Sequence, residues 1–221
     1  MDWGIWLKNI FIDSCPSCGF RNTRDFPVCL ICEKKLNFFC KPQQAELISC
    51  NRWLTHHYCF EFHKNGIFQK LLFHLKYKGR KKLAQFLAQI ISERLPKEQL
   101  DRFKEVLWLP VPLHPKKFKL RGFNQASLLA KGLAKYLGGE VVLHNLVRTK
   151  FTQTQARMSL EERQWNVHRA FEVLNAQELQ GKKIILVDDV FTTGATLLSC
   201  FESLVQHQLL DVDLFTIARR S

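Results

Sequence analysis

Apolar residues recur at helical spacing in several stretches of the chain. In 66–77 the positions Leu71, Leu72 and Leu75 line one face, and in 81–95 Leu83, Phe86, Leu87, Ile90 and Ile91 do the same, so two amphipathic helices joined at Gly79 are predicted. A third helix is predicted over 124–137, closed by Gly138 and Gly139, and a fourth over 194–206. Continuous apolar runs give strands at 106–113, broken by Pro110 and Pro112, at 141–147, at 182–187 after two lysines, and at 212–218. The aromatic and polar alternation of 47–62 reads as a hairpin. Residues 149–157 are polar without a period and read as a mobile loop, and Ser159-x-x-Glu162 is a capping box opening a short helix through Val167. Strands alternating with helices predict an α/β protein with a doubly wound parallel sheet.

The chain has 221 residues, 46% of them hydrophobic and 12% aromatic, with 10 Gly and 7 Pro. Such a composition supports a sizeable core and excludes disordered and collagenous classes. No run approaches the roughly 18 apolar residues of a spanning helix, so no membrane span is expected. The segment 1–12 carries Trp3, Ile5, Trp6, Leu7, Ile10 and Phe11 but opens with Asp2 and lacks a basic head and a small-residue cleavage site. It is therefore expected to be an N-terminal helix packed on the body rather than a secretory signal.

Cys15-x2-Cys18 and Cys29-x2-Cys32 are separated by ten residues. Each pair can form a tight turn, Gly19 suiting the first, and two such turns bring four thiolates to one point. Two disulfides, or four buried thiols, are the alternatives. With no export signal a reducing, cytoplasmic compartment is expected, which favours a closed, structural Zn²⁺ site made by Cys15, Cys18, Cys29 and Cys32. The expected division is a knuckle unit over 1–42 and an α/β unit over 43–221. Cys40, Cys50, Cys59 and Cys200 are expected to be small buried apolar side chains.

The string Val187-Asp188-Asp189-Val190-Phe191-Thr192-Thr193-Gly194-Ala195-Thr196 falls where a buried strand gives way to a helix, the place where open α/β sheets bind ligands. Two carboxylates can accept hydrogen bonds from vicinal ribose hydroxyls, and Thr and Gly at a helix N-terminus suit a phosphate. The bland alternative is a solvated strand end with Thr193 as a cap.

The ten-residue string closely resembles the signature of type I phosphoribosyltransferases, which bind 5-phosphoribosyl-1-pyrophosphate (PRPP) with Mg²⁺. The resemblance implies that Asp188 and Asp189 hold the ribose hydroxyls, that Thr192, Thr193, Gly194, Ala195 and Thr196 wrap the 5′-phosphate with Val190 also in the PRPP site, and that Mg²⁺ is held mainly by oxygens of the ligand. Two further stretches, Pro110-Val-Pro-Leu-His-Pro-Lys-Lys-Phe-Lys-Leu-Arg121-Gly-Phe-Asn-Gln125 and Arg148-Thr-Lys-x-Thr-x-Thr-Gln155 continued by Leu160-x-x-Arg163-x-x-Asn166-Val167-x-x-Ala170-Phe171, look like the ComF family of competence proteins and its GntX-type relatives. Lys76-Tyr77-Lys78-Gly79 and the cysteine pairs extend that resemblance over nearly the whole chain. It implies that Arg121 and the backbone at Gly122 lie at a pyrophosphate-binding loop and that Arg121 joins Asp188 and Asp189 in any catalysis. It also implies a role in natural transformation alongside other competence proteins such as a helicase or translocation machinery.

The chain has 33 Lys and Arg against 20 Asp and Glu, a net charge of +13, and the charge is sorted. Residues 64–92 hold seven Lys or Arg and 106–139 hold six, with no Asp or Glu in either block. Phe68, Phe73, Tyr77, Phe118 and Phe123 are interleaved with them, Phe68, Phe73 and Phe86 being expected in the core. This pattern fits a groove for single-stranded DNA, with Lys76, Lys78, Arg80, Lys81, Lys82, Lys116, Lys117 and Lys119 as its contacts; the alternative is the solvent face of ordinary helices. His114 is expected to be structural. Two other functions stay open: an active phosphoribosyltransferase of nucleotide salvage, for which no acceptor-reading segment is recognisable, and a PRPP-sensing regulator.

Overall fold

A computed structural model of the chain describes residues 14–22, 26–39, 43–47, 52–149 and 170–220. Its centre is a six-stranded sheet in the order β1-β2-β8-β7-β3-β4, formed by β1 (Gln43–Leu47), β2 (Arg52–Phe62), β3 (Val106–Pro110), β4 (Glu140–Val141), β7 (Lys183–Phe191) and β8 (Val212–Arg220). Only β1, antiparallel to β2, breaks the parallel arrangement. The strands alternate between two buried faces. Trp108, Ile185, Val187, Phe215 and Ile217 face the helices α2 (Ile67–Tyr77), α3 (Lys82–Arg94) and α6 (Gln125–Leu137), while Leu107, Leu109, Ile184, Leu186 and Leu214 face α7 (Ala195–Val205). The sheet is thus covered on both sides, as the continuous apolar runs require.

The predicted helices and strands correspond to α2, α3, α6, α7, β3, β7 and β8. Asn124 caps α6 by accepting from the Ala126 N–H at 3.0 Å, and Gly79 turns the chain between α2 and α3 at φ +65°. Four expectations need correction. The hairpin begins earlier, with β1 at Gln43. The strand expected over 141–147 divides: β4 joins the main sheet, whereas β5 (Leu146–Arg148) pairs antiparallel with β6 (Phe171–Val173) in a separate ribbon. The break is held by buried Asn145, which donates to Asn175 O at 2.6 Å and accepts from Asn175 N–H at 2.9 Å. The stretch that the resemblance presents as a pyrophosphate-binding loop contains a helix, α5 (Pro115–Arg121), with Pro115 at its first position, His114 Nδ1 accepting from Lys116 N–H, and Gly122 ending it at φ +76°. Phe73 is 48% exposed rather than core, whereas Phe68 and Phe86 are buried. Short helical turns α1 (Leu30–Lys34), α4 (Lys97–Leu100) and Asp101–Phe103 complete the elements relevant here. The expected N-terminal helix, most of the mobile loop and the capping-box helix lie outside the described residues.

His56 of β2 is fully buried, its ring 4.6 Å from that of Phe191. Thr216 Oγ1 donates to Ala218 O at 3.0 Å, so it accepts from Nε2–H of His56 at 2.8 Å and selects the neutral tautomer. Burial, followed by the charges of Arg219 and His57, pushes the His56 pKa down to about 3. The unfolded chain, with an ordinary imidazole, then binds the proton more readily, and stability is lost as pH falls from about 6.5 toward 3. At about pH 5 this one group should account for a loss of roughly 2 kcal/mol relative to neutral pH. Urea unfolding at the two pH values, in wild type and in a His56→Gln variant that keeps a donor to Thr216, is expected to show a flatter pH dependence in the variant.

Candidate functional site

The four cysteines converge as their spacing predicts. Gly19 at φ +74° turns the first pair back, its N–H donating to Cys15 O at 2.8 Å, and α1 begins directly after Cys29 and carries Cys32. The four Sγ atoms lie within 4.8 Å of one another, and Cys18 Sγ is 3.7 Å from Cys29 Sγ. A tetrahedron with metal–sulfur bonds of about 2.3 Å has edges of about 3.8 Å, so the donor set fits a structural Zn²⁺. Cys15, Val28, Cys29, Cys32 and Leu36 belong to the same buried cluster as α2 and α3. Three cations fasten the knuckle there: Lys70 Nζ donates to Ser17 O at 3.1 Å, Arg80 to Ser14 O at 2.5 Å and Arg94 to Leu36 O at 3.3 Å. Cys59 and Cys200 are buried apolar side chains as expected, while Cys40 and Cys50 lie outside the described residues.

The second site forms at the carboxyl ends of the central strands. β7 continues through the acid pair to Phe191 because β8 runs alongside it, Asp188 standing opposite Thr216 and Phe191 opposite Arg219. The pair therefore rests on a hydrogen-bonded strand rather than on the loop beyond it. Asp188 Oδ1 accepts from the Asp189 N–H at 2.8 Å. Asp189 is buried and its Oδ2 forms an ion pair with Nζ of Lys76, from the last turn of α2. Burial, and after it the adjacent charge of Asp189, holds the Asp188 carboxyl above the usual carboxylate range, with Lys76 acting in the opposite sense. Behind the pair, burial and the Asp188 charge push the Cys200 thiol well up, and Arg148 of β5 lies near enough to oppose that rise.

Beyond β7 the chain passes exposed Thr192 and Thr193, then Gly194 at φ +74°, and enters α7. Thr193 Oγ1 accepts from Ala195 N–H at 3.4 Å. The first N–H groups of any helix lack intrahelical acceptors and present a partial positive charge, so this mouth suits an anion. On the opposite rim, the segment leaving β3 is pinned to β7 just before the acid pair: Val111 N–H donates to Val187 O at 2.9 Å, and Asn124 Nδ2 to Val111 O at 2.9 Å. That anchoring sets α5 and Arg121 beside the site. Arg121 donates to Gln125 Oε1 and its guanidinium lies 5.3 Å from the Tyr77 ring centroid. Partial desolvation, then the charges of Arg148, Arg121 and Lys76, holds the Lys117 ammonium below its ordinary value, so these four cations lie near one another, Lys76 and Arg148 also being close to the acid pair.

Asp188, Asp189 and the Thr192–Thr196 turn follow one another along the chain, and Arg121 approaches them through Tyr77, the neighbour of Lys76, with Gly122 exposed at the end of α5. The cations expected on a nucleic-acid surface divide. Lys76 is engaged with Asp189 and Arg80 with the knuckle, whereas Lys78, Lys81, Lys82, Lys116, Lys117 and Lys119 are exposed. Tyr77 (65% exposed), Phe73 and Phe118 accompany them; Tyr77 and Phe73 lie 5.4 Å apart, and Lys78 Nζ is 6.0 Å from the Phe73 ring. Arg148 was visible as the opening residue of a quoted motif, whereas no local signal marks the partnership of Lys76 with Asp189.

The geometry is that of a phosphoribosyltransferase-type α/β protein carrying a four-cysteine knuckle, and the phosphoribosyl transferase domain family matches residues 121–221. The chain belongs to the family of competence protein F, ComFC and the DNA utilization protein YhgH. It is 27% identical to competence protein F of Haemophilus influenzae over 93% of this chain and 90% of that protein. It is 27% identical to DNA utilization protein YhgH of Salmonella typhimurium, covering 94% of this chain and 85% of the relative, and 28% identical to competence protein ComFC of Bacillus subtilis, covering 96% and 80%. Among the described residues no helix is long and apolar enough to cross a membrane.

Proposed function

We propose that the chain handles single-stranded DNA entering the cytoplasm during natural transformation and binds PRPP with Mg²⁺ at the acid-pair site, with one Zn²⁺ closing the knuckle. The observation that carries the reading is the acid pair at the end of β7, with Asp189 buried and paired to Lys76, Arg148 near Asp188, Lys117 and Arg121 close to those two cations, and the N-terminus of α7 following. Such a site offers acceptors to ribose hydroxyls at its centre and positive charge to phosphates at both ends. In this reading Asp188 and Asp189 accept from the ribose, Thr192 to Thr196 enclose the 5′-phosphate with Val190 beside them, and Arg121 with the exposed backbone about Gly122 meets the pyrophosphate. Mg²⁺, when bound, would neutralise phosphate charge, held chiefly by ligand oxygens and water. Calorimetry with PRPP is expected to show binding that requires Mg²⁺; no heat at millimolar ligand removes the reading.

The exposed aromatic and basic strip supports the DNA half, since stacking and phosphate contacts together bind single strands with little sequence preference. With about six phosphates neutralised, log K should fall against log salt with a slope of roughly −4. Replacing Lys78, Lys81 and Lys82 by Gln should reduce that slope by roughly 2. Arg80 is spared because it fastens the knuckle. A slope that survives the triple replacement counts against this surface.

The match to the phosphoribosyl transferase domain favours a second reading, a transferase of nucleotide salvage. Incubation with PRPP, Mg²⁺ and a panel of bases separates the two, because acceptor-dependent release of pyrophosphate identifies the enzyme.

A further inference from the structure

Lys76 stands where the two proposed surfaces meet. Its ammonium is paired with Asp189, the side chains being 23% and 7% exposed, while the next residue, Tyr77, lies on the outside beneath Arg121 and against Phe73. The backbone of this turn is pinned independently of that pair: the N–H groups of Lys78 and Arg80 both donate to His74 O, at 3.1 and 3.3 Å, and the Arg80 guanidinium holds Ser14. The Lys76 side chain can therefore exchange partners by rotation without moving α2.

We propose that the Lys76–Asp189 pair couples the two sites, so that a ribose phosphate at the acid pair and single-stranded DNA on the strip bind cooperatively. The proposal rests on the reading of Asp188 and Asp189 as ribose acceptors and of the strip as a DNA surface. Ribose hydroxyls replace the ammonium as donors to Asp189, and a DNA phosphate replaces the carboxylate as acceptor for Lys76. With only one ligand present, opening the pair leaves the other charge uncompensated at a largely buried position, which is strongly unfavourable. With both present neither charge is left alone, and the penalty of opening the pair falls once instead of twice. By linkage the effect is reciprocal. Simple repulsion between an anionic ligand and DNA has the opposite sign, so the direction of the coupling is diagnostic.

The test measures binding of a labelled oligothymidylate with and without saturating PRPP and Mg²⁺ at constant ionic strength, together with the reverse titration. In wild type the DNA affinity is expected to rise roughly five- to tenfold, at the lower end of ordinary couplings, and the PRPP affinity by the same factor. In Lys76→Met the coupling factor should fall to about one whatever the separate affinities become, and Lys76→Arg should keep most of it. Asp189→Asn, which releases Lys76 without leaving a charge, should bring DNA affinity without PRPP close to the wild-type value with PRPP. A wild-type factor of one or less, or an unchanged factor in Lys76→Met, overturns the coupling while both binary complexes still form. Failure of either binary complex in wild type is a different result, because it removes the parent reading and the coupling with it.

Discussion

Replacement of both Asp188 and Asp189 by alanine is expected to weaken Mg²⁺-dependent PRPP binding by more than about a hundredfold. Hydrogen bonds to a charged acceptor contribute roughly 1.5–3 kcal/mol each, and the double variant removes at least two of them from the ribose. The loss should exceed that of Arg121→Ala, since Lys117, Arg148 and Lys76 stay near the phosphate end. The same double variant frees the Lys76 ammonium and should bind single-stranded DNA at least as well as wild type. Calorimetry for the first ligand and fluorescence anisotropy for the second give the contrast. A double variant that binds PRPP as tightly as wild type shows that the acid pair is not the ribose site.

Loss of the knuckle metal should have the second large effect, and on stability. One Zn²⁺ per chain is expected by metal analysis, removed by Cys29→Ser at a buried ligand. Structural zinc supplies folding free energy directly, with apparent values of about 10–16 kcal/mol in isolated fingers. Here the knuckle also shares its buried cluster with α2 and α3, and Phe26 packs edge-on against Phe86 at 6.0 Å. Opening it uncovers apolar surface and takes acceptors from Lys70, Arg80 and Arg94. If only about 3 kcal/mol of stability is lost, the melting temperature of a domain this size should still fall by roughly 6–12 °C. The knuckle should open first and the sheet later. Full metal occupancy and unchanged melting in the variant contradict the assignment.

Short-range physics accounts for what could be read from the sequence. Helical periodicity placed α2, α3, α6 and α7, apolar runs placed β3, β7 and β8, and the paired Cys-x2-Cys turns announced the cluster they form. The exposure of Phe73, expected in the core, follows from the same periodicity, because Phe68, Leu71, Leu72 and Leu75 define a buried face of α2 from which residue 73 points away. Pro115 and Gly122 likewise bracket α5 in the order helices prefer, although its crowded lysines give no apolar stripe to announce it.

By itself the sequence determined the α/β class, the cysteine cluster and the ten-residue string that places an acid pair before a helix, since each depends on neighbours within a turn or two. Only the tertiary structure decided how far β7 runs, because a strand continues as long as a partner lies beside it, and β8 does so to Arg219. Only the tertiary structure divided 141–147 between two sheets, because that depends on which strand each half meets. It also separated the basic residues. Lys76 and Arg80 look like Lys78 and Lys81 in the sequence, and they differ because folding brings Asp189 to one and the carbonyl of Ser14 to the other. A charge is a surface charge until a distant segment supplies its partner, and no local pattern records that meeting.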